Sequence, residues 1–205
     1  DLVFQFLNLN SDLDAPDYKL VIEKGVLAIK QQLEEKTRSL GSAVSRSGMD
    51  EVNACRAAIY ACDALMQLAQ NLATSAEKLA ATETNAYRKA ELSESAAILH
   101  HIPARPARSF KEACQAFYLF QLALQLDNGS YAVNPEGADK ALLAYYQHDI
   151  ANGLLTEAQA YEIVECLWFK LAELSEVRAA CAIDGYPMRS EERRVGKECR
   201  SRWSP

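Results

Sequence analysis

The sequence predicts a mainly α-helical protein on three observations. Apolar residues recur at spacings of three and four along most of the chain, the period of an amphipathic helix. Two capping boxes, Ser109-Phe110-Lys111-Glu112 and Thr156-Glu157-Ala158-Gln159, mark helix starts. The stretch from Glu112 to Leu126 is apolar nearly all round, which requires protein on every side. Overall the 205 residues are 49% apolar and 24% charged, an ordinary globular balance.

The first helix is expected to open at Asp14-Ala15-Pro16, with Pro16 in the first turn, and to close at Gly41. Tyr18, Ile22, Ile29 and Leu33 line one of its faces. A looser segment, Ser42 to Gly48, leads to a second helix over Asp50 to Ala81, striped by Cys55, Ile59, Cys62, Met66 and Ala69. A third helix is expected from Asn85 to His100, with Thr84 as its N-cap. Pro103 and Pro106 make Ile102 to Arg108 an extended connector. The box at Ser109 opens the next helix, which runs through Leu126. There the serine hydroxyl is expected to take one orphan amide and Glu112 to reach back to another. Without further protein around it, that helix is expected to leave apolar surface in water. Asp127 to Gly137 reads as a loop, and a helix follows from Ala138 to Gly153. The box at Thr156 opens a last helix, with Ile163, Leu167, Leu171 and Leu174 at helical spacing. Asp1 to Leu9 alternates weakly, the pattern of a short strand.

Composition and motif searches exclude several function classes. The net charge is −6, and residues 189–205 hold six basic side chains against three acids, which leaves −9 on residues 1–188. An acidic body gives no support to a nucleic-acid partner. Gln, Asp or Lys interrupts each apolar run before it reaches membrane-spanning length. Asp1-Leu2-Val3-Phe4 has neither a Met nor a basic flank and reads as a chain already in progress rather than a secretion signal. The cysteines Cys55, Cys62, Cys114, Cys166, Cys181 and Cys199 form no CxxC pair and are expected to be buried free thiols of a cytoplasmic protein. His100 and His101 point about 100° apart on a helix, and His148 is distant in sequence, so no metal site is expected. There is no phosphate loop, GxSxG or HExxH. Periodicity and composition alone stop at a helical cytoplasmic protein.

Three stretches carry a resemblance. Ala15-Pro16-Asp17-Tyr18 is followed by a helix with Gly25 seven residues after Tyr18. Pro106-Ala107-Arg108-Ser109-Phe110-Lys111-Glu112-Ala113-Cys114-Gln115-Ala116-Phe117 follows the pattern P-x-R-[ST]-F-x-E-A-x-Q-x-[FW]. A third stretch runs from Asp139 through Tyr145-Tyr146 and Asp149 to Glu165-Cys166-Leu167-Trp168-Phe169-Lys170-Leu171, and Gly185-Tyr186-Pro187-Met188 ends the match. In order and spacing these segments resemble the glycyl-radical enzymes of the pyruvate formate-lyase type. The resemblance covers residues 15–188 and is densest from 103 to 178.

That resemblance implies a piece of a ten-stranded α/β barrel surrounded by helices, with residues 1–188 a partial pyruvate formate-lyase-like domain. It implies an anaerobic radical lyase or dehydratase in which a cysteine thiyl abstracts a substrate hydrogen. A radical-SAM activating enzyme would install the glycyl radical, the parent would be a homodimer, and the substrate a small molecule. The chain itself departs from the family at the chemistry. None of its cysteines stands in a Gly-Cys-Val-Glu context, and Cys181 lies in Ala180-Cys181-Ala182. Arg194-Val195-Gly196 is faintly similar to the radical loop, but lacks the spacer residue before Gly and has Lys197 where an aromatic belongs. This chain alone is therefore expected to hold no catalytic residue and no cofactor and to be inactive. The other reading is a non-catalytic helical scaffold or interaction module. Residues 189–205 resemble the in-frame translation of a sequencing-adapter oligonucleotide and read as an artefactual tail.

The substrate loop is the last expectation. Aligned on Pro135 and Asp139, residues 127–139 resemble the family pattern E-x-N-G-H-S-x-S-x-G-R-x-D, with Tyr131, Ala132 and Asn134 in place of the His and the two Ser. A second register matches Asn128-Gly129 and needs an insertion. The resemblance makes Tyr131 and Asn134 the candidate substrate-binding residues. Ala132 offers no side-chain hydrogen bond, and Asp12-Leu13 replaces the Gly-His many relatives carry before Pro-Asp-Tyr. These departures point away from a glycerol or propanediol dehydratase.

Overall fold

The chain's computed structural model describes residues 16–41, 46–128 and 137–173, all within one compact unit spanning 1–174. The described residues form seven helices: α1 Tyr18–Lys24, α2 Val26–Leu40, α3 Arg46–Thr82, α4 Ala86–His101, α5 Phe110–Asn128, α6 Ala138–Ala151 and α7 Glu157–Glu173. No strand occurs among them. The weakly alternating segment 1–9, the residues 131 and 134, and the tail lie outside the described residues.

The expected first helix is two helices, broken at Gly25 (φ 75°, ψ 151°). The break admits the connector after α4. Val26 N–H donates to Pro103 O (2.8 Å), Leu27 N–H to Ala104 O (3.0 Å), and Ala107 N–H to Ile22 O (3.0 Å). The backbone of 104–105 approaches Gly25 so closely that an added Cβ would lie 2.6 Å from Ala104 O. Periodicity runs straight through this position because apolar spacing on either side is compatible with one helix. The tertiary contact, not the local sequence, sets the break. Pro16 precedes the cap rather than entering the first turn, and the Asp17 side chain accepts from Leu20 N–H at 3.0 Å.

The expected looser segment Ser42–Gly48 is already helical from Arg46, four residues before the expected start of α3 at Asp50, and other boundaries differ by a residue or two. Asn85, not Thr84, caps α4 by accepting from the Tyr87 and Arg88 amides. Helix α5 extends through Asn128, so the expected loop begins later. The connector starts with a turn, Arg105 N–H donating to His101 O at 3.1 Å, and its Ile102–Pro103 peptide is cis.

Helices α2, α3 and α4 pack side by side, while α1, α6 and α7 pack around α5. Tyr18, Ile22, Ile102, Pro103, Phe117 and Leu119 form the fully buried centre. Burying each such large apolar side chain contributes roughly 1.5–3 kcal/mol. Along α5, Phe110, Ala113, Cys114, Ala116, Phe117 and Leu119 are buried, and only Leu126 is a large exposed apolar residue. Neighbours within the unit bury the first half of α5, while Leu122 and Leu124 stay half-buried and Leu126 is exposed, so its cover is incomplete toward its end. The exposed aromatics lie elsewhere, notably at Tyr161, Trp168 and Phe169 on α7.

Candidate functional site

The start of α5 is a closed polar network inside an apolar setting. Glu112 N–H donates to Ser109 Oγ at 3.3 Å, as a capping box requires. The Glu112 carboxylate reaches back one residue further than expected, accepting from Arg108 N–H at 2.7 Å. It also takes the Arg108 guanidinium at 2.5 Å (Nη2) and 3.1 Å (Nε). Burial pushes the Glu112 carboxyl up, but the Arg108 side-chain and backbone hydrogen bonds and the guanidinium charge outweigh it and hold the group below its usual range.

A second carboxylate completes the cap. Asp149, buried near the end of α6, accepts from Phe110 N–H at 2.7 Å. An acid in the last turn of a helix opposes the helix dipole. That mismatch is the sequence signal that Asp149 serves another helix, here the start of α5, where four amides lack intrahelical partners.

The same contacts set helix directions. Asp149 at the end of α6 meets Phe110 at the start of α5, so these helices run antiparallel. Tyr18, at the start of α1, donates its hydroxyl to Gln121 Oε1 and packs its ring on Phe117 and Phe120, while Ile22 meets Ala107. Helix α1 is thus antiparallel to α5 as well. The start of α1, the end of α5 and the start of α6 point toward one end of the cluster. The Tyr18–Gln121 pair lies about 10 Å of helix rise before the last residue of α5.

This end is the candidate functional site, because both divergent stretches attach to it: the segment carrying Asp12-Leu13 before α1, and the 129–136 segment carrying Tyr131 and Asn134 between α5 and α6. Tyr131 and Asn134 themselves lie outside the described residues. Sequence reasoning missed the Tyr18–Gln121 pair at this end. Burial pushes the Tyr18 hydroxyl up to about 12, so it stays protonated, as the donor to Gln121, to higher pH than an ordinary tyrosine. The only sequence sign was a Gln facing inward in an apolar helix.

A groove of about 990 Å³ crosses the first half of α5 between α4 and α7, with Tyr87, Glu94, Cys114, Tyr118, Ile163 and Leu167 among its lining residues. Its cations are tied down: Arg88 to Glu91 (2.9 Å), Lys111 to Glu94 (2.6 Å) and Lys170 to Glu173 (2.6 Å). Burial pushes the Cys114 thiol up to about 12, so it supplies no thiolate. The four described cysteines are free; Cys55 and Cys114 are buried, whereas Cys62 is half-buried and Cys166 exposed, against the expectation of burial. His100 bridges Gln70 and Glu77 on α3 at 2.8 Å each, joining α4 to α3, and His101 bonds Pro106 O, tying the end of α4 to the connector. Among the described residues no group of three or more His, Cys, Asp or Glu is placed to hold a metal. None of the described helices is long and apolar enough to cross a membrane.

Residues 14–190 match the model of the pyruvate formate lyase-like family. The isethionate sulfite-lyase of Bilophila wadsworthia is 33% identical over 162 residues, 78% of this chain and 20% of that protein. The fold is similar to a solved structure of 1,2-propanediol dehydration in Roseburia inulinivorans, with a TM-score of 0.75 and 29% identity over 84% of this chain and 20% of that one. It is also similar to a glycerol dehydratase from Clostridium butyricum in its glycerol-bound form, with a TM-score of 0.78 and 26% identity over 88% of this chain and 23% of that one. The chain spans about a fifth of the length of these relatives.

Proposed function

The chain belongs to the pyruvate formate lyase-like family, and from that premise we propose that it is a piece of an anaerobic, cytoplasmic glycyl-radical lyase or dehydratase acting by thiyl hydrogen abstraction. The observation that carries this reading is the interlocked start of α5. Arg108, Ser109, Phe110, Glu112 and Asp149, the residues of the resemblance, are joined there by hydrogen bonds. Such a network fixes the direction of the helix that leads into the 129–136 segment.

In this reading residues 1–188 are part of the helical shell and substrate wall of a ten-stranded barrel, and residues 189–205 are an artefactual tail. The family match ends at residue 190, which agrees with that division. The chain has neither a Gly-Cys-Val-Glu loop nor a radical-glycine motif, so no radical step belongs to its residues. The glycyl radical, its radical-SAM activating enzyme and a homodimeric state belong to the parent. Tyr131 and Asn134 are the residues that contact the small-molecule substrate, and the missing serine hydroxyl at Ala132 disfavours a simple diol. A buried substrate hydroxyl without a partner loses about 1–3 kcal/mol.

The test is the genomic sequence downstream of the Met188 codon. The reading predicts a continuing frame with a Gly-Cys-Val-Glu loop and a late radical-glycine motif. A stop codon shortly after Met188 would overturn it and leave a non-catalytic helical scaffold.

A further inference from the structure

Two free cysteines face one groove. Cys114 on α5 and Cys166 on α7 both line the cleft between α4 and α7. Helices α5 and α7 are in contact, and they run in the same direction. At one end Asp149, just ahead of the start of α7, bonds the Phe110 amide at the start of α5. Further along, the charges of Lys170 and Glu173 bear on the Tyr118 hydroxyl. Cys114 stands one turn before Tyr118, and Cys166 one turn before Lys170, so the two thiols lie at the same level of adjacent parallel helices. Gln115 beside the first and Ile163 beside the second line the same cleft, which places both cysteines on the facing stripes. Contacting helices have axes about 8–10 Å apart, a span that side chains at one level close from both sides, and a disulfide needs Cβ atoms about 3.5–4.5 Å apart.

We propose that Cys114 and Cys166 are a redox-sensitive pair that closes into a disulfide across the groove when a low-molecular-weight disulfide such as oxidised glutathione is present, stapling α5 to α7. The two thiols have unequal roles. Cys166 is exposed and meets the oxidant first, whereas Cys114 is buried and held as the thiol. In the first step the Cys166 sulfur attacks glutathione disulfide, forms a mixed disulfide and releases one glutathione thiol. In the second the Cys114 sulfur attacks the Cys166 sulfur, its proton leaves with the second glutathione, and the protein disulfide forms. The two cysteines together lose two protons and two electrons, and one glutathione disulfide is reduced to two thiols. Burial of Cys114 makes the second step the slow one, on the scale of hours. The pairing uses this chain's own residues and does not rest on the family reading.

The test incubates the 205-residue chain, carrying Cys181→Ser and Cys199→Ser, with oxidised glutathione and maps its disulfides by mass spectrometry of unreduced digests. The Cys114–Cys166 bridge is expected to be the main intramolecular disulfide. Its closure is expected to raise the thermal midpoint by at least about 4 °C, a shift that dithiothreitol reverses and that Cys166→Ser abolishes. Cys114→Ala is expected to trap Cys166 as the glutathione mixed disulfide. In concentrated urea the bridge is expected to lose its preference over pairings with Cys55 and Cys62. Accumulation of glutathione on Cys166 while Cys114 stays free to alkylate overturns the proposal. So does pairing of Cys166 with Cys55 or Cys62 in the folded chain, or an equal yield of the Cys114–Cys166 bridge in urea.

Discussion

Replacing Gly25 by alanine strikes the joint on which the helical cluster turns. Gly25 has φ 75° and ψ 151°, a region essentially reserved to glycine, where a side-chain-bearing residue is strained by of order 1–3 kcal/mol. The new Cβ would also lie 2.6 Å from Ala104 O, 2.6 Å from Arg105 C and 2.7 Å from Arg105 Cα. All three are backbone atoms, so relief requires the connector itself to move. That movement loosens the Val26–Pro103 and Leu27–Ala104 hydrogen bonds, each contributing about 0.5–1.5 kcal/mol. The sum is about 2–6 kcal/mol, against a total stability of about 5–15 kcal/mol for a domain. Urea unfolding followed by circular dichroism measures it. Gly153→Ala is the control, because Gly153 also has a positive φ (66°) but nothing near its would-be Cβ. Gly25→Ala should exceed the control by at least about 1 kcal/mol, the worth of one of the lost hydrogen bonds. Equal losses in the two variants would refute the close-approach reasoning.

Asp149→Ala should destabilise by about 1–3 kcal/mol in urea unfolding by orphaning the buried Phe110 amide, whereas Asp149→Asn keeps an acceptor and should lose less. The depressed Glu112 carboxyl contributes stability that is full above its ordinary value of 4.5 and is lost as pH falls through its lower folded value. Melting curves across acid pH should therefore show a steeper loss for the native chain than for Glu112→Gln. The Tyr18 hydroxyl, pushed up to about 12, favours the folded state below pH 10 and loses that contribution as pH rises from 10 to 12. Ultraviolet titration should show late-ionising tyrosine absorbance, to which the burial-raised Tyr118 and Tyr145 also contribute, and Tyr18→Phe should remove its latest part, with a stability loss of about 0.5–1.5 kcal/mol for the lost hydrogen bond to Gln121.

Local chemistry was legible and tertiary partnership was not. The Thr156 box reads directly from sequence, and the structure closes it as written, Gln159 N–H to Thr156 Oγ1 at 3.3 Å and Thr156 N–H to Gln159 Oε1 at 3.0 Å. The half-buried and buried stripe of α3, from Cys55 to Ala69, follows its period. The break at Gly25 escaped because its cause, the backbone of 104–105, lies some eighty residues away along the chain. Which helices bury the first half of α5 escaped because periodicity shows that a helix needs cover, not what supplies it. At the candidate site the resemblance singled out Tyr131 and Asn134, while the Tyr18–Gln121 pair and the Asp149 cap came only from the fold. Each pairs residues far apart in sequence, for which spacing carries no signal.

Electron paramagnetic resonance after strictly anaerobic incubation with a radical-SAM activating enzyme is the most direct test of the family assignment and of the missing radical motifs together. The full-length parent should give a glycyl-radical doublet, and the 205-residue chain under the same conditions should give none. A doublet from the 205-residue chain would contradict the absence of a radical glycine from it, and a silent parent would contradict the glycyl-radical reading.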